Sequence, residues 1–169
     1  AYLITAGKTI YREQVPTKAQ SGAHRNEYGK RVLEQIKVHE AMIANDLVIT
    51  LKPDDPVQRA HTLINQTTHT GFPVLDNGRL VGILTVSDVR RCENIFALSS
   101  PVRDAMSCKL VMVSSMDSME NAMRLMLVNN IHHIPVAEPE TPEQLEGFLT
   151  RTDVMKIYAH TCRIIEDGR

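Results

Sequence analysis

The chain has 169 residues, 43% of them hydrophobic, enough for one medium domain or two small repeats that share a core. Its formal net charge of −1 gives no reason to expect nucleic-acid binding, and no apolar run approaches the roughly 18 residues of a membrane-spanning helix. The 3 cysteines, Cys92, Cys108 and Cys162, are widely spaced and indicate neither a disulfide framework nor a zinc site, so a reducing compartment is the simplest inference.

Residues 1–36 differ from the rest of the chain, because they have neither a helical nor an alternating apolar period. Basic residues outnumber acidic ones in this stretch, and Pro16, Ser21 and Gly22 interrupt it. We predict a linker here, with a short helix near Tyr28–Gln35.

From residue 37 onward the sequence repeats itself in three blocks. VHEAM at 38–42 returns as VRDAM at 102–106, GFPVLD at 71–76 as HIPVAE at 133–138, and VGILTVSDV at 81–89 as EGFLTRTDV at 146–154. Such a repeat predicts one structural unit that occurs twice.

Each unit is predicted to begin with a short helix that ends near Met42 or Met106. A strand follows at 47–51 or 110–113, since both segments are rich in branched residues.

An amphipathic helix comes next in each unit. We expect Asp55 with Gln58 to cap the first of these helices, and Asp117 with Glu120 to cap the second. Their apolar faces are predicted to be Val57, Ala60, Leu63 and Ile64, and Met119, Ala122, Met123, Met126 and Leu127.

Two apolar runs then close each unit as a hairpin, followed by a second helix after Thr85 or Thr150. In the first unit the runs flank Asn77-Gly78, a strong hairpin signal because both turn residues must take positive φ. The unit is therefore helix–strand–helix–strand–strand–helix, an α/β (α+β) fold, at residues 37–98 and again at 99–169. One copy would bury too little surface alone, so two copies are expected to stack through their sheets.

Both units carry Pro-Val before the hairpin and Gly-h-h-Thr-x-x-Asp-Val after it, where h is apolar. This arrangement resembles the CBS (cystathionine β-synthase) domain over residues 37–160. The resemblance implies a pseudo-twofold pair with clefts between the sheets, where many members bind adenine nucleotides. It also implies a regulatory attachment to an enzyme or transporter.

The segment TIYREQVPTKAQSGAHR at residues 9–25 is similar to the stretch that follows the last membrane helix of prokaryotic CLC chloride channels and transporters. Its basic residues fit a segment just inside a membrane. The similarity implies that the chain is a fragment, the C-terminal domain of such a protein on the cytoplasmic side of the cell membrane. The membrane domain and a second copy of the chain would be its partners.

The pairs Thr85/Asp88 and Thr150/Asp153 each permit two interpretations. A Thr-x-x-Asp at the start of a helix is a capping box. Alternatively, the Asp accepts hydrogen bonds from ribose hydroxyls while the Thr and the helix N-terminus face a phosphate. The two roles are compatible in part.

By resemblance, each cleft joins the first strand and the residues around Pro-Val of one repeat to the Thr-x-x-Asp of the other. We favour the cleft with Gly71 and Asp153, because a glycine lets a ligand approach the backbone and Arg151 could meet a phosphate. His69 stands where some nucleotide-binding CLC tails stack an aromatic ring on adenine. The residues of this preferred cleft are Ile49, Thr50, His69, Thr70, Gly71, Phe72, Pro73, Thr150, Arg151 and Asp153.

The second cleft is expected to fit a purine less well, since it presents two histidines and no glycine. Adjacent strand residues point to opposite faces, so His132 and His133 cannot easily share a metal ion, and no metal site is predicted. The residues of this second cleft are Val111, Val113, His132, His133, Ile134, Pro135, Thr85 and Asp88.

No catalytic residue is predicted, because the sequence has no glycine-rich phosphate loop, no nucleophile elbow and no motif-like Cys–His pair. The leading hypothesis is a dimeric regulatory domain of a CLC-type channel or chloride/proton antiporter, with no required cofactor and ATP, ADP or AMP as candidate ligands. One alternative is a stand-alone or enzyme-attached adenine-nucleotide sensor. Another is a structural dimerisation module whose clefts stay empty.

Overall fold

The computed structural model describes residues 32–95 and 97–167. The predicted linker up to residue 31 lies outside the described residues, while 32–35, the end of the helix predicted near Tyr28–Gln35, are helical. Besides short 3-10 turns, the strands and α-helices that follow within these ranges are β1 (Ile43–Ala44), α1 (Val57–Gln66), β2 (Gly71–Asp76), β3 (Arg79–Thr85), α2 (Val86–Asn94), α3 (Met119–Val128), β4 (His133–Val136), β5 (Gly147–Thr150) and α4 (Arg151–Asp167). Within the described ranges, no helix is both long and apolar enough to cross a membrane.

Two antiparallel sheets carry these elements, which confirms the predicted mixed fold of two repeats. β2 pairs with β3, and β1, β5 and β4 lie side by side in that order. Leu51 and Val113 add single parallel bridges to β2 and β4. The strands predicted at 47–51 and 110–113 are therefore wrong in extent, since only their last residues pair with a sheet.

The hairpin between β2 and β3 turns at Asn77 and Gly78, as the sequence predicts. Their φ angles are +48° and +82°, the left-handed values that a tight two-residue turn requires. The pairing shifts register between Val74 and Leu75, so the hairpin contains a bulge.

The two repeats exchange their leading segments. Val38 of the first repeat is fully buried in the core of the second, and Val102 of the second is fully buried in the core of the first. Ile43 of β1 likewise pairs with Phe148 of β5, and Ser107 forms a bridge with Ile83 of β3. Each hydrophobic core is therefore completed by the other repeat.

Two backbone hydrogen bonds, at equivalent positions of the two repeats, hold the exchanged segments. The Val38 N–H donates to Asp117 O at 2.9 Å, and the Val102 N–H donates to Asp55 O at 2.8 Å. The carboxylates of these two aspartates accept from Ser114 N–H and Lys52 N–H. Asp55 and Asp117 thus close turns and do not cap helices, so the predicted capping boxes are wrong.

The N-termini of α1 and α3 are satisfied differently. Pro56 precedes α1 and makes no side-chain cap, but Val57 N–H donates to Ser100 O at 2.9 Å. Ser118 caps α3 and accepts from Asn121 N–H at 3.1 Å. The predicted apolar faces are buried at Val57, Ala60, Met119, Ala122 and Met126. The prediction is wrong for Leu127, whose side chain is 61% exposed.

We expect Ser118→Ala to lower the free energy of unfolding by about 1 kcal/mol, the usual cost of removing a helix cap. The Asn121 N–H would lose its partner at the start of α3. Urea denaturation of the wild type, Ser118→Ala and Ser118→Asn measures this, and the Asn variant should retain most of the stability because Asn caps equally well. Equal losses in both variants would contradict the capping role.

Candidate functional site

Both Thr-x-x-Asp motifs form capping boxes at the junction of a strand and a helix. At the start of α2, the Thr85 N–H and hydroxyl donate to Asp88 Oδ2 at 2.9 and 2.7 Å, and the Asp88 N–H donates to Thr85 Oγ1 at 3.4 Å. At the start of α4 the same bonds join Thr150 and Asp153 at 3.1, 2.6 and 3.2 Å. The predicted capping role is confirmed at both sites.

The outer oxygens of the two aspartates have different neighbours. Arg91 donates to Asp88 Oδ1 at 2.9 Å, and the Asp88 side chain is largely buried. Asp153 Oδ1 lies 3.8 Å from the Lys156 amine, which is 75% exposed. The two motifs therefore cap their helices in the same way, but the outer oxygens of their aspartates have different surroundings and burial.

A cavity of about 480 Å³ lies beside the N-terminus of α2, between residues of both repeats. Its volume falls within the range of small-molecule sites, roughly 300–1,000 Å³. The lining residues are Thr70, Ile83, Thr85, Val86, Ser87, Asp88, Ser107, Lys109, Leu110, Val111, Asn130, Ile131, His132 and His133.

The cavity brings together much of the predicted second cleft. Thr85, Asp88, Val111, His132 and His133 line it. The other three members of that cleft do not line the cavity: Ile134 and Pro135 are buried in β4, and Val113 is buried at its bridge to β4.

Of the predicted preferred cleft, only Thr70 lines this cavity. Gly71, Phe72 and Pro73 are buried in β2, and Ile49 and Thr50 precede the Leu51 bridge and are partly buried. His69 lies in the loop before β2, with its ring 6.4 Å from that of Phe72. Thr150, Arg151 and Asp153 lie at the junction of β5 and α4.

Arg151 bonds to its own repeat. Its guanidinium donates to Ile131 O at 2.9 Å, just beyond α3, and more weakly to Met126 O at 3.5 Å, in the last turn of α3. Its Nε is buried without a hydrogen-bond partner among the described residues. Both backbone bonds come from Nη2, so they orient the guanidinium without using all of its donors.

The close approach at Gly71 is made by a histidine ring. A Cβ at Gly71 would lie 2.8 Å from the ring of His133, the residue at the equivalent place in the second repeat. Thr70 Oγ1 and His133 Nε2 lie 2.8 Å apart, and the ring stacks on Phe148 with centroids separated by 5.8 Å. The space that Gly71 leaves is therefore used by the protein's own side chain.

Burial is the main cause that lowers the pKa of His133 from 6.5 to about 4. The neighbouring His132 lowers this pKa further, and the Asp153 carboxylate acts in the opposite direction. His133 is consequently neutral at physiological pH.

Sequence reasoning missed Ser107, Lys109 and Asn130 as lining residues. Ser107 and Lys109 follow the VRDAM block of the second repeat but lie beside Thr85 of the first, because the leading segments are exchanged. Only knowledge of that exchange could have pointed to them. No cluster of three or more potential metal ligands occurs among residues whose positions are described.

Both repeats match one known protein family. The family model of the CBS domain matches residues 41–94 and 102–160, once for each repeat. The chain belongs to the CBS domain family. The CBS resemblance of the sequence is thereby confirmed, while the similarity to CLC proteins rests on residues outside the described ranges.

Relatives of this CBS pair include enzymes and separate CBS proteins. Inosine-5'-monophosphate dehydrogenase of Methanocaldococcus jannaschii is 31% identical over 125 residues, 73% of this chain but only 24% of that enzyme. The CBS domain-containing protein YhcV of Bacillus subtilis is 31% identical over 93 residues, 54% of this chain and 66% of YhcV. The chain thus spans about a quarter of the length of the dehydrogenase.

Solved structures share the fold. CBSX2 in complex with AMP superposes with a TM-score of 0.66 at 26% identity, covering 74% of this chain and 97% of CBSX2. The CBS pair of protein MJ0100, in complex with 5'-methylthioadenosine and S-adenosyl-L-methionine, has a TM-score of 0.65 at 17% identity, covering 75% and 98% of the two chains.

Proposed function

We propose that this CBS pair is a regulatory module that senses an adenine nucleotide and itself catalyses no reaction. The observation that carries the proposal is the cavity between the repeats, which opens at the Thr85/Asp88 capping box. AMP in the similar CBSX2 supports adenine as the ligand class.

The cavity combines apolar walls with a few polar groups, as small-molecule sites do. Ile83, Leu110, Val111 and Ile131 supply apolar surface for a base. Asp88 Oδ1 accepts from Arg91, and a carboxylate oxygen has a second lone pair that can accept from a ribose hydroxyl.

Lys109 is the candidate phosphate ligand. At the start of α2, the Val86 N–H already donates to Thr70 O and the Asp88 N–H to Thr85 Oγ1. These two backbone groups are not available to a phosphate without rearrangement. Lys109 lines the cavity and is exposed, so its ammonium group can meet a phosphate at the mouth.

We expect Lys109→Ala to weaken AMP binding about tenfold, the size of one charge-assisted contact, and to leave adenosine binding unchanged because adenosine has no phosphate. Isothermal titration calorimetry with both ligands measures this, and Lys52→Ala, another exposed lysine that does not line the cavity, is the matched control. An equal loss for adenosine and AMP would contradict a phosphate contact.

Titration of the wild type with AMP, ADP and ATP tests the proposed function itself. We expect dissociation constants between micromolar and millimolar. Flat titrations at millimolar nucleotide would reject sensing and favour the alternative of a structural dimerisation module.

The curated relatives support a stand-alone or enzyme-attached sensor more than a transporter tail, since they include dehydrogenases and the CBS protein YhcV. Attachment to a CLC membrane domain, and a place on the cytoplasmic side of a membrane, remain predictions from residues 9–25. The coding sequence upstream of Ala1 tests them: a set of apolar membrane spans there would support the CLC hypothesis, and an enzyme domain would reject it.

Pairing with a second copy is part of the same proposal. Leu127 and Val128 on α3 are 61% and 74% exposed, and Met155 on α4 is 50% exposed. Large apolar side chains exposed on two neighbouring helices are consistent with a protein contact. Light scattering coupled to size-exclusion chromatography should give twice the mass of one chain.

A further inference from the structure

Asn130 combines a left-handed backbone with a place in the cavity wall. Within the described ranges, two residues other than glycine have a positive φ, Asn77 at +48° and Asn130 at +51°. Such values are uncommon for a residue that carries a side chain. Asn77 belongs to the hairpin turn between β2 and β3, whereas Asn130 lies just beyond α3. The two asparagines therefore need separate explanations.

The end of α3 accounts for the backbone of Asn130. The Ile131 N–H donates to Met126 O at 2.9 Å and the Asn130 N–H donates to Leu127 O at 3.2 Å, which are the two bonds of a Schellman motif. Glycine is the usual residue at the left-handed position of this motif, because it avoids the steric cost of a Cβ. The motif thus explains the φ angle of Asn130 but not the presence of a side chain there.

The first repeat ends its equivalent helix differently. The offset 133 − 71 = 62 aligns β4 with β2, so the equivalent of Asn130 is Thr68, since 130 − 62 = 68. The helix α1 ends at Thr67 with a φ of −130°, and Thr68 has no positive φ. Thr68 does not line the cavity either. A left-handed asparagine is therefore not required by the repeat and distinguishes the half that faces the cavity.

The Asn130 side chain offers a donor and an acceptor to a ligand. Its amide group has no hydrogen-bond partner among the residues that the structure describes. An amide group carries two N–H donors and one carbonyl acceptor. The next residue, Ile131, lines the same cavity with an apolar side chain. A base packed against Ile131 would have its polar edge beside the amide of Asn130.

We propose that Asn130 gives this cavity a preference for 6-aminopurines: its carbonyl accepts from the amino group at C6, and its N–H donates to N7 of the same base. An amide pairs with adenine through these two atoms, whereas a 6-oxopurine presents two acceptors, N7 and O6, and can use only the donor. The inference rests on the proposed function and names the residue that sets its base preference. The sensor would thereby distinguish AMP from IMP.

Calorimetry with AMP, IMP and 7-deaza-AMP, in which a C–H group replaces N7, tests this contact. We expect the wild type to bind AMP about tenfold more tightly than either analogue. Asn130→Gly should bind all three ligands within about twofold of one another, and glycine preserves the end of α3 because it is favoured at a left-handed position. The matched control is Asn129→Gly, which should keep the wild-type ratios, since Asn129 donates to Leu125 O and does not line the cavity.

Asn130→Asp keeps the acceptor and removes the donor. This variant should bind 7-deaza-AMP at least as tightly as AMP, because N7 would face a carboxylate oxygen. Equal binding of the three ligands to the wild type, or wild-type ratios in Asn130→Gly, would overturn the role of Asn130 while leaving nucleotide sensing intact. No heat from AMP with the wild type would reject the proposed function and this inference with it.

Discussion

Gly147→Ala is expected to lower the free energy of unfolding by about 3 kcal/mol, the upper end of the usual cost of overpacking a core. A Cβ at Gly147 would lie 2.6 Å from Met42 Sδ and 2.8 Å from Ile43 O. The methionine side chain can move aside, but the Ile43 carbonyl belongs to β1, which is paired with β5 at this position. Relief of the clash therefore requires separation of the exchanged strand from its sheet.

The matched control is Gly82→Ala, at the equivalent place in the first repeat. A Cβ there would lie 2.5 Å from Met106 Sδ but 3.2 Å from Ser107 O, so a movement of the flexible methionine relieves most of the contact. We expect this variant to lose about 1 kcal/mol less stability than Gly147→Ala. Urea denaturation of both proteins measures the difference. Equal losses would indicate that the methionines, and not the backbone of the exchanged segments, set the cost.

These two glycines show what the repeated motif Gly-h-h-Thr-x-x-Asp means physically. The sequence presents the glycine as part of a family pattern, with no stated reason for it. In the structure it is the point where the backbone of the other repeat crosses the hairpin. The motif thus combines a crossing site with a helix-capping Thr three residues downstream, since 85 − 82 = 3 and 150 − 147 = 3.

Much of the fold could be predicted from local patterns. Asn77-Gly78 specified a hairpin because few other dipeptides accept two positive φ angles, and α1 and α3 followed from their apolar periods. The exchange of leading segments could not be predicted in this way. Val38 and Val102 have the same local pattern whichever repeat they pack against, so only the tertiary structure distinguishes the two arrangements.

The candidate site was predictable only where its residues form a local motif. Thr85 and Asp88 could be recognised because a capping box is a local motif. The preference for the Gly71/Asp153 cleft depended on Gly71, because a glycine was taken to leave room for a ligand beside the backbone. Whether such room is empty depends on the side chain that faces it, and His133 comes from the other repeat, 62 residues away along the chain by the difference 133 − 71.

His133 should also make the stability of the fold depend on pH. In the folded chain its pKa is lowered from 6.5 to about 4, mainly by burial. The unfolded chain takes up a proton as the pH falls below 6.5, whereas the folded chain stays neutral at this residue until near pH 4. The stabilisation is therefore present above pH 6.5 and is lost as the pH falls. Between pH 7 and pH 5 the expected loss is about 2 kcal/mol.

Urea denaturation at pH 7, 6 and 5 measures this loss, and the variant His133→Phe isolates its origin. Phenylalanine keeps an aromatic ring against Phe148 but cannot titrate, so its stability should change much less over this interval. Glu138 does not interfere, because hydrogen bonds from Ser115 and Ser114 lower its pKa below 4.5, and its effect begins only under that pH. Wild type and His133→Phe with the same pH dependence would show that the His133 ring is solvated in the folded chain.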